Sequence, residues 1–181
     1  TLMTVNTVLT SGESDLTWDA GFFKKAEIGD YVWQDNNANG IQDNGENGIP
    51  NVTVTLSGTD GGGNNVTKNT TTDGTGHYLF PDLAPGTYKL TFTSPGPGFT
   101  PSPQDLGGDD AKDSDGDTGT LMTINTVLTS GESDLTWDQG FYQDINLTVF
   151  VVDVSCYEGM NGSIDLTVTG GSAPFTYNWS N

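Results

Sequence analysis

Residues 28–56 read IGDYVWQDNNANGIQDNGENGIPNVTVTL. The two ends of this stretch, Ile28 to Trp33 and Val52 to Leu56, alternate apolar and polar positions and carry β-forming residues, which predicts two strands. Between them the oxygen-bearing side chains fall at the spacing of a twelve-residue calcium loop. Asp35, Asn37 and Asn39 take positions one, three and five, Gly40 supplies the sharp turn at six, Ile41 offers its carbonyl at seven, Asp43 stands at nine, and Glu46 can close the shell at twelve. Every slot is a hard oxygen donor, the ligand type that calcium prefers. Gln42 stands at position eight, which is usually apolar when such loops sit between helices; this predicts a loop that does not pair with a second one across a small sheet. An Asn/Gly-rich turn is the competing reading, because these residues tolerate left-handed backbone. A turn alone does not require acidic residues at both fixed ends.

The composition agrees with cation binding. Formal net charge is −19, from 24 acidic and 5 basic residues. Such a surface repels phosphate backbones and anionic lipid, so nucleic acid and direct membrane insertion are excluded as partners. Leu, Ile, Val and Phe make up only about one residue in five, near the limit at which a highly charged chain folds unaided. A single cysteine, Cys156, rules out an internal disulfide framework and reads as a small buried hydrophobe. One histidine, His77, leaves no zinc cluster. No apolar run approaches the ~20 residues of a membrane span, no signal peptide opens the chain, and Thr1 reads as an excision point that says nothing about export.

Residues 1–23, TLMTVNTVLTSGESDLTWDAGFF, recur as residues 120–142, TLMTINTVLTSGESDLTWDQGFY, with changes only at Val5/Ile124, Ala20/Gln139 and Phe23/Tyr142. The second copy ends a full unit; the first is then expected to be the last strands of a preceding unit. The expected organisation is residues 1–23 closing one domain, 24–142 forming a complete one, and 143–181 opening another. Within the full unit no amphipathic helix is apparent, and short alternating runs are separated by Gly, Pro, Asn and Asp. That predicts an all-β sandwich with strands near 27–34, 51–57, 65–72, 77–81, 86–94, 119–129 and 134–143. Asp73-Gly74-Thr75-Gly76 is read as a hairpin turn, and Leu83 to Gly86 as the turn into the next strand.

Ser94 to Asp117 is read as a long strandless loop. Its second half, GGDDAKDSDGDT, packs Asp109, Asp110, Asp113, Asp115 and Asp117 together, which is costly to order without a cation. A second calcium site is expected there, with Asp30 as a long-range ligand. The alternative is a solvated acidic loop.

These motifs carry a resemblance. The 28–56 stretch, followed by TTDGTGHYLFPDLAPGTYKLTF, GGDDAKDSDGD and LTWDQGFY, resembles a B domain of the SdrD type from bacterial surface adhesins. The resemblance implies a prealbumin-like or Ig-like β-sandwich of the Cna-B kind, occurring in tandem as a stiff stalk and binding calcium through Asp35, Asn37, Asn39, Ile41, Asp43, Glu46 and the aspartates at 109–117. Related domains often carry a Lys to Asn/Asp isopeptide bond; here the first strand has no lysine, with Lys24 and Lys25 before it and Lys68 and Lys89 elsewhere, so none is expected. From Ile145 to Val154 a β-rich run, INLTVFVVDV, leads into a segment that resembles the start of a SprB repeat of Bacteroidota gliding adhesins through Cys156, Gly162-Ser163, Gly170-Gly171, Pro174, Tyr177 and Trp179-Ser180.

The functional expectation is a non-enzymatic structural segment of an extracellular filament or adhesin on a bacterial surface. Its partners would be neighbouring domains of the same chain or identical chains. No nucleophile motif or phosphate-binding glycine loop argues for chemistry. Two other readings stay open. One is a carbohydrate- or protein-binding module with Trp33, Trp137 and Trp179 as an aromatic platform for a host or environmental ligand. The other is a filament subunit in which residues 1–23 add strands to a neighbouring molecule.

Overall fold

The computed structural model describes residues 6–171 and 174–179. Thr1 to Val5 and Ser180, used above in the repeat and in the SprB-like motif, lie outside the described residues. Among the described residues every regular element is a strand: β1 (Ala26–Gln34), β2 (Thr53–Asp60), β3 (Asn65–Thr71), β4 (His77–Leu83), β5 (Gly86–Phe92), β6 (Phe99–Pro101), β7 (Thr126–Leu128), β8 (Ser133–Asp134), β9 (Gln139–Gln143), β10 (Asn146–Val152) and β11 (Ser163–Thr169). The period-two pattern does the sorting. Val54 and Leu56 of β2, Tyr78 and Phe80 of β4, and Tyr88, Leu90 and Phe92 of β5 all turn inward, while their neighbours face solvent or the rim.

Two sheets result. One runs β4-β1-β9-β6, with β8 also alongside β1; the other runs β3-β2-β5-β7. Their inner faces share one core that includes Ile28, Val32, Val54, Leu56, Phe80, Leu90, Phe92, Leu128 and Phe141. The fold is therefore an all-β sandwich, as the alternation predicts. Among the connections from β1 to β9, only β2–β3 and β8–β9 stay within a sheet; the others cross the core. Strand β9 lies parallel to β1, pairing Val32 with Gln139 and Gln34 with Phe141, so the end of the unit is laid beside its beginning. Strands β10 and β11 form a separate antiparallel hairpin.

Several sequence expectations are corrected. The strand expected over 119–129 shrinks to β7, because Asp117 accepts from the amides of Gly119 and Thr120 and wraps residues 117–121 into a turn with Leu121 at φ 57°. The strand expected over 134–143 is split, since Asp134 takes the Thr136 hydroxyl at 2.9 Å and the Trp137 indole N–H at 2.8 Å in place of ladder bonds. The loop read as strandless contains β6, paired antiparallel with β9. Asp73 to Gly76 does form a turn, but not a hairpin: its flanks β3 and β4 belong to different sheets. Cys156 is exposed and not buried.

Leu90→Ala, at a fully buried position shared by both sheets, is expected to lower unfolding free energy by about 2–5 kcal/mol. Val127→Ala, on the exposed face of β7, should stay within about 0.5 kcal/mol of wild type. Denaturant unfolding of both variants checks the inward/outward assignment.

Candidate metal centre

The two acidic loops are placed at one end of the sandwich by the strands that carry them. Asp35 follows β1 directly, and its amide donates to the Phe141 carbonyl of β9 at 2.9 Å. From there the 35–46 loop folds on itself. Asp35 is buried; its Oδ2 accepts the Gly40 amide at 2.8 Å, and its Oδ1 accepts the amides of Asn37 and Asn39 at 3.2 and 3.3 Å. Glu46 reaches back, taking the Asn36 amide on Oε1 at 2.7 Å and the Asp43 amide on Oε2 at 3.0 Å. Asp43 Oδ2 accepts from the side-chain amides of both Asn37 (2.8 Å) and Asn39 (3.0 Å). Asp35, Asn37, Asn39, Asp43 and Glu46 are thus drawn into one hydrogen-bonded ring. Gly40 is at φ 75°, and a Cβ there would stand 2.3 Å from the Pro103 carbonyl oxygen, so the turn requires glycine.

That ring is satisfied by its own hydrogen bonds. The Asn37 and Asn39 side-chain oxygens accept the amides of Asn39 and Ile41 at 3.1 and 2.8 Å, which leaves each oxygen a second lone pair for a cation. The carbonyl of Ile41 takes no part in the loop's pairing.

Contrary to the reading of Gln42, the loop does pair with a second one, and the partner is the other acidic loop. Ile41 and Asp113 face each other in an antiparallel bridge, in which the Gln42 amide donates to the Lys112 carbonyl at 2.7 Å and the Ser114 amide to the Gly40 carbonyl at 3.1 Å. A side chain at position eight does not govern this contact, because it is made by backbone.

The second loop is where charge is left uncompensated. Asp105, Asp113 and Asp115 each bring a carboxylate oxygen within 4.8 Å of the others. Asp113 and Asp115 are buried, and Asp113 Oδ1 has no hydrogen-bond partner. The adjacent Lys112 turns instead to Asp109, at 3.2 Å on the exposed side. Burial first, then the nearby Asp110, Asp113 and Asp105, pushes Asp115 up to about 8. Burial and Asp110, Asp105 and Asp109 likewise raise Asp113. Deeper in, Asp138 is fully buried with neither carboxylate oxygen partnered. Burial first, then Asp30 and Asp115, pushes it up to about 9.

Of the residues expected in the second site, Asp113 and Asp115 are brought together. Asp110 lines the same cleft beside Asp105, Gln104 and Trp137. Asp109 is tied to Lys112, and Asp117 is an exposed turn cap. Asp30 sits on β1 facing His77, Oδ1 to Nδ1 at 3.7 Å, outside the group of three. Sequence reasoning missed Asp105 and Asp138. Asp105 stands outside the aspartate-rich run, and its only signal in sequence is the Gly107-Gly108 pair just beyond it; the structure then shows it in a turn at φ 51°. Asp138 carries a clearer one: it follows Trp137 directly, just before the Gly140-Phe141 pair, and recurs as Asp19 in the other copy of the repeat.

All-oxygen donors with a buried carboxylate lacking any counter-charge fit a hard divalent cation. In the two loops these residues would hold calcium, which would supply the missing positive charge. The aromatic platform has no such support: Trp33 and Trp137 are buried, and among the three only Trp179 is exposed.

An all-β sandwich with paired acidic loops at one end defines the class of module, and comparison places the chain in a family of such domains. Residues 26–141 match the SdrD B-like domain, and the chain belongs to that family. Residues 148–181 match the SprB repeat. The chain is 40% identical over 166 residues to serine-aspartate repeat-containing protein D of Staphylococcus aureus (strain Newman), covering 90% of this chain and 12% of that protein. It is 38% identical over 159 residues to serine-aspartate repeat-containing protein F of Staphylococcus epidermidis, covering 86% and 9%. It is 42% identical over 139 residues to serine-aspartate repeat-containing protein E of Staphylococcus aureus (strain Newman), covering 76% and 11%. The chain thus spans only a small part of the length of these relatives. Family membership makes it a structural segment of a surface protein and not an enzyme.

The raised carboxylates set a pH dependence. A group whose folded-state pKa lies above its unfolded value contributes stability below the unfolded value, and that contribution is lost as pH rises through the folded one. In chelator, the melting temperature should therefore fall as pH rises from about 5 to about 9, across the window set by Asp115 and Asp138. Asp115→Asn should make that slope shallower and raise the midpoint at the alkaline end, because it removes a buried charge. Thermal scans of wild type and variant across this range check both expectations.

Proposed function

We propose that this segment is a cation-stiffened module in a tandem array of β-sandwiches, forming the stalk of an adhesin or filament outside a bacterial cell. The observation that carries the reading is the carboxylate group of buried Asp113 and Asp115 with exposed Asp105, which has no basic partner among the described residues and is joined by backbone to the 35–46 loop. Such a group is unfavourable to fold without a counter-charge, so calcium and folding are linked. Because the loops share a bridge, a cation in either one restrains both. The module's immediate partners are then its neighbours in the chain, and loss of loop freedom is the mechanical contribution it makes. Surface placement of the staphylococcal relatives' family and the match to SprB support the extracellular setting.

Thermal unfolding of the chain in millimolar calcium and then in chelator tests this. With free calcium about 100-fold above its dissociation constant, each site adds about 2.7 kcal/mol, and magnesium should not replace it. An unchanged midpoint on chelation would falsify the cation mechanism while leaving the sandwich and its family untouched.

A further inference from the structure

Residues 6–23 and 125–142 differ only at Ala20/Gln139 and Phe23/Tyr142, and they adopt the same local structure in opposite surroundings. In the first copy the Thr10 amide and hydroxyl donate to Glu13 Oε2 at 2.7 and 2.9 Å; in the second, Thr129 does the same to Glu132 at 2.6 and 2.7 Å. The Trp18 indole donates to Asp15 at 2.7 Å, and the Trp137 indole to Asp134 at 2.8 Å. Gly12 and Gly131 turn at φ 83° and 79°. What differs is burial. Leu128 and Phe141 are 1% and 0% exposed, whereas their counterparts Leu9 and Phe22 are 58% and 78% exposed. The segment is shaped by its own short-range bonds.

The second copy defines its seat. Strand β7 lies on β5, pairing Tyr88 with Thr126, while β8 and β9 lie on β1, pairing Glu27 with Ser133 and Trp33 with Gly140. One segment therefore closes both sheets. The clearest difference between the copies falls at a buried position. Gln139 Nε2 donates to Ser114 Oγ at 3.1 Å and to the Gly140 carbonyl at 2.7 Å, and its Oε1 lies 1.9 Å from where a Cβ on Gly116 would stand. Ala20 in that place would leave a hole and forfeit both bonds.

We propose that residues 6–23 are the closing segment of another sandwich of this kind, one that differs at positions 114 and 116, seated across its β1 and β5 as residues 125–142 are here, with position 20/139 deciding which segment a given seat accepts. The proposal rests on the tandem-array reading and not on the cation. In this unit the tethered segment with Gln139 holds the seat. A unit that accepts Ala20 needs a residue larger than Gly116, and no hydroxyl at Ser114, to fill the space.

The test uses the full chain with Cys156→Ser and the reporter pair Ser14→Cys and Glu27→Cys, since Ser14 is the counterpart of Ser133, which faces Glu27. Two forms are compared, one otherwise unchanged and one with the residues exchanged, Ala20→Gln with Gln139→Ala. Each is unfolded, refolded at high concentration in saturating calcium and mapped by mass spectrometry. Exchange should raise the disulfide between positions 14 and 27 of different chains roughly tenfold. A link confined within one chain, equal yields in both forms, or no link in chains with intact β-sheet spectra each overturns the proposal. Should the exchanged form not fold, the unexchanged chain is refolded with labelled peptides of residues 6–23. The Ala20→Gln peptide should then be retained over the native one, and retention of neither peptide overturns the proposal. The calcium-dependent midpoint is measured separately, so failure here leaves the stalk reading standing.

Discussion

The constraint on which this structure turns is a stitch of backbone hydrogen bonds at one end of the sandwich. The Asp35 amide is bound to Phe141, the Gln42 amide to Lys112, the Ser114 amide to Gly40 and the Asp115 amide to Asp138. Each bond is ordinary, contributing about 1 kcal/mol net. Together they join the loop after the first strand, the acidic loop and the last strand into one layer. The aspartates then have no freedom to turn outward. Asp113, Asp115 and Asp138 are buried because the backbone beside them is paired, not because burial suits a carboxylate.

That arrangement sets two contributions against each other. The apolar core between the sheets favours folding, while the stitched layer opposes it through desolvated charge that no lysine answers. Exposed acids in this chain behave in the opposite sense. Asp60, Asp73 and Asp117 are held below the usual carboxylate range by side-chain and backbone donors around them, Asn64, Thr75 and Thr120 first among these. Their contribution is lost only in acid, whereas that of the buried group is lost toward alkaline pH. A chain with a formal charge of −19 therefore concentrates its electrostatic cost in a few side chains at one end.

Much of the fold was legible because the inward residues alternate without interruption through Val54, Leu56, Tyr78, Phe80, Tyr88, Leu90 and Phe92. Legibility failed where side chains compete with the ladder. Asp117 and Asp134 capture local donors and convert expected strand into turn, and no periodicity signals that outcome in advance. The site was half legible for a related reason. Spacing along one loop is visible in sequence, so the ring from Asp35 to Glu46 could be read, but Asp105 reaches the cleft, and Asp138 its place behind Asp115, only through pairings between distant segments. The inference drawn from Gln42 failed because loop-to-loop contact here is made by main chain, which a side chain neither announces nor prevents.

The repeat adds what neither pattern nor spacing could. Two nearly identical segments with the same local bonds and opposite burial separate short-range from long-range contributions within a single molecule. The bonds from Thr129 to Glu132 and from Trp137 to Asp134 are not consequences of docking, since Thr10, Glu13, Trp18 and Asp15 make them in the open. A segment already turned at Gly131 and braced at Trp137 has less conformational freedom to lose when it seats. The final step of closure is then the burial of Leu128 and Phe141 and the delivery of Asp138 into the stitched layer. The apolar part of that step favours closure and the carboxylate opposes it, which makes the last strand the element whose seating responds most directly to a counter-charge in the layer beside it.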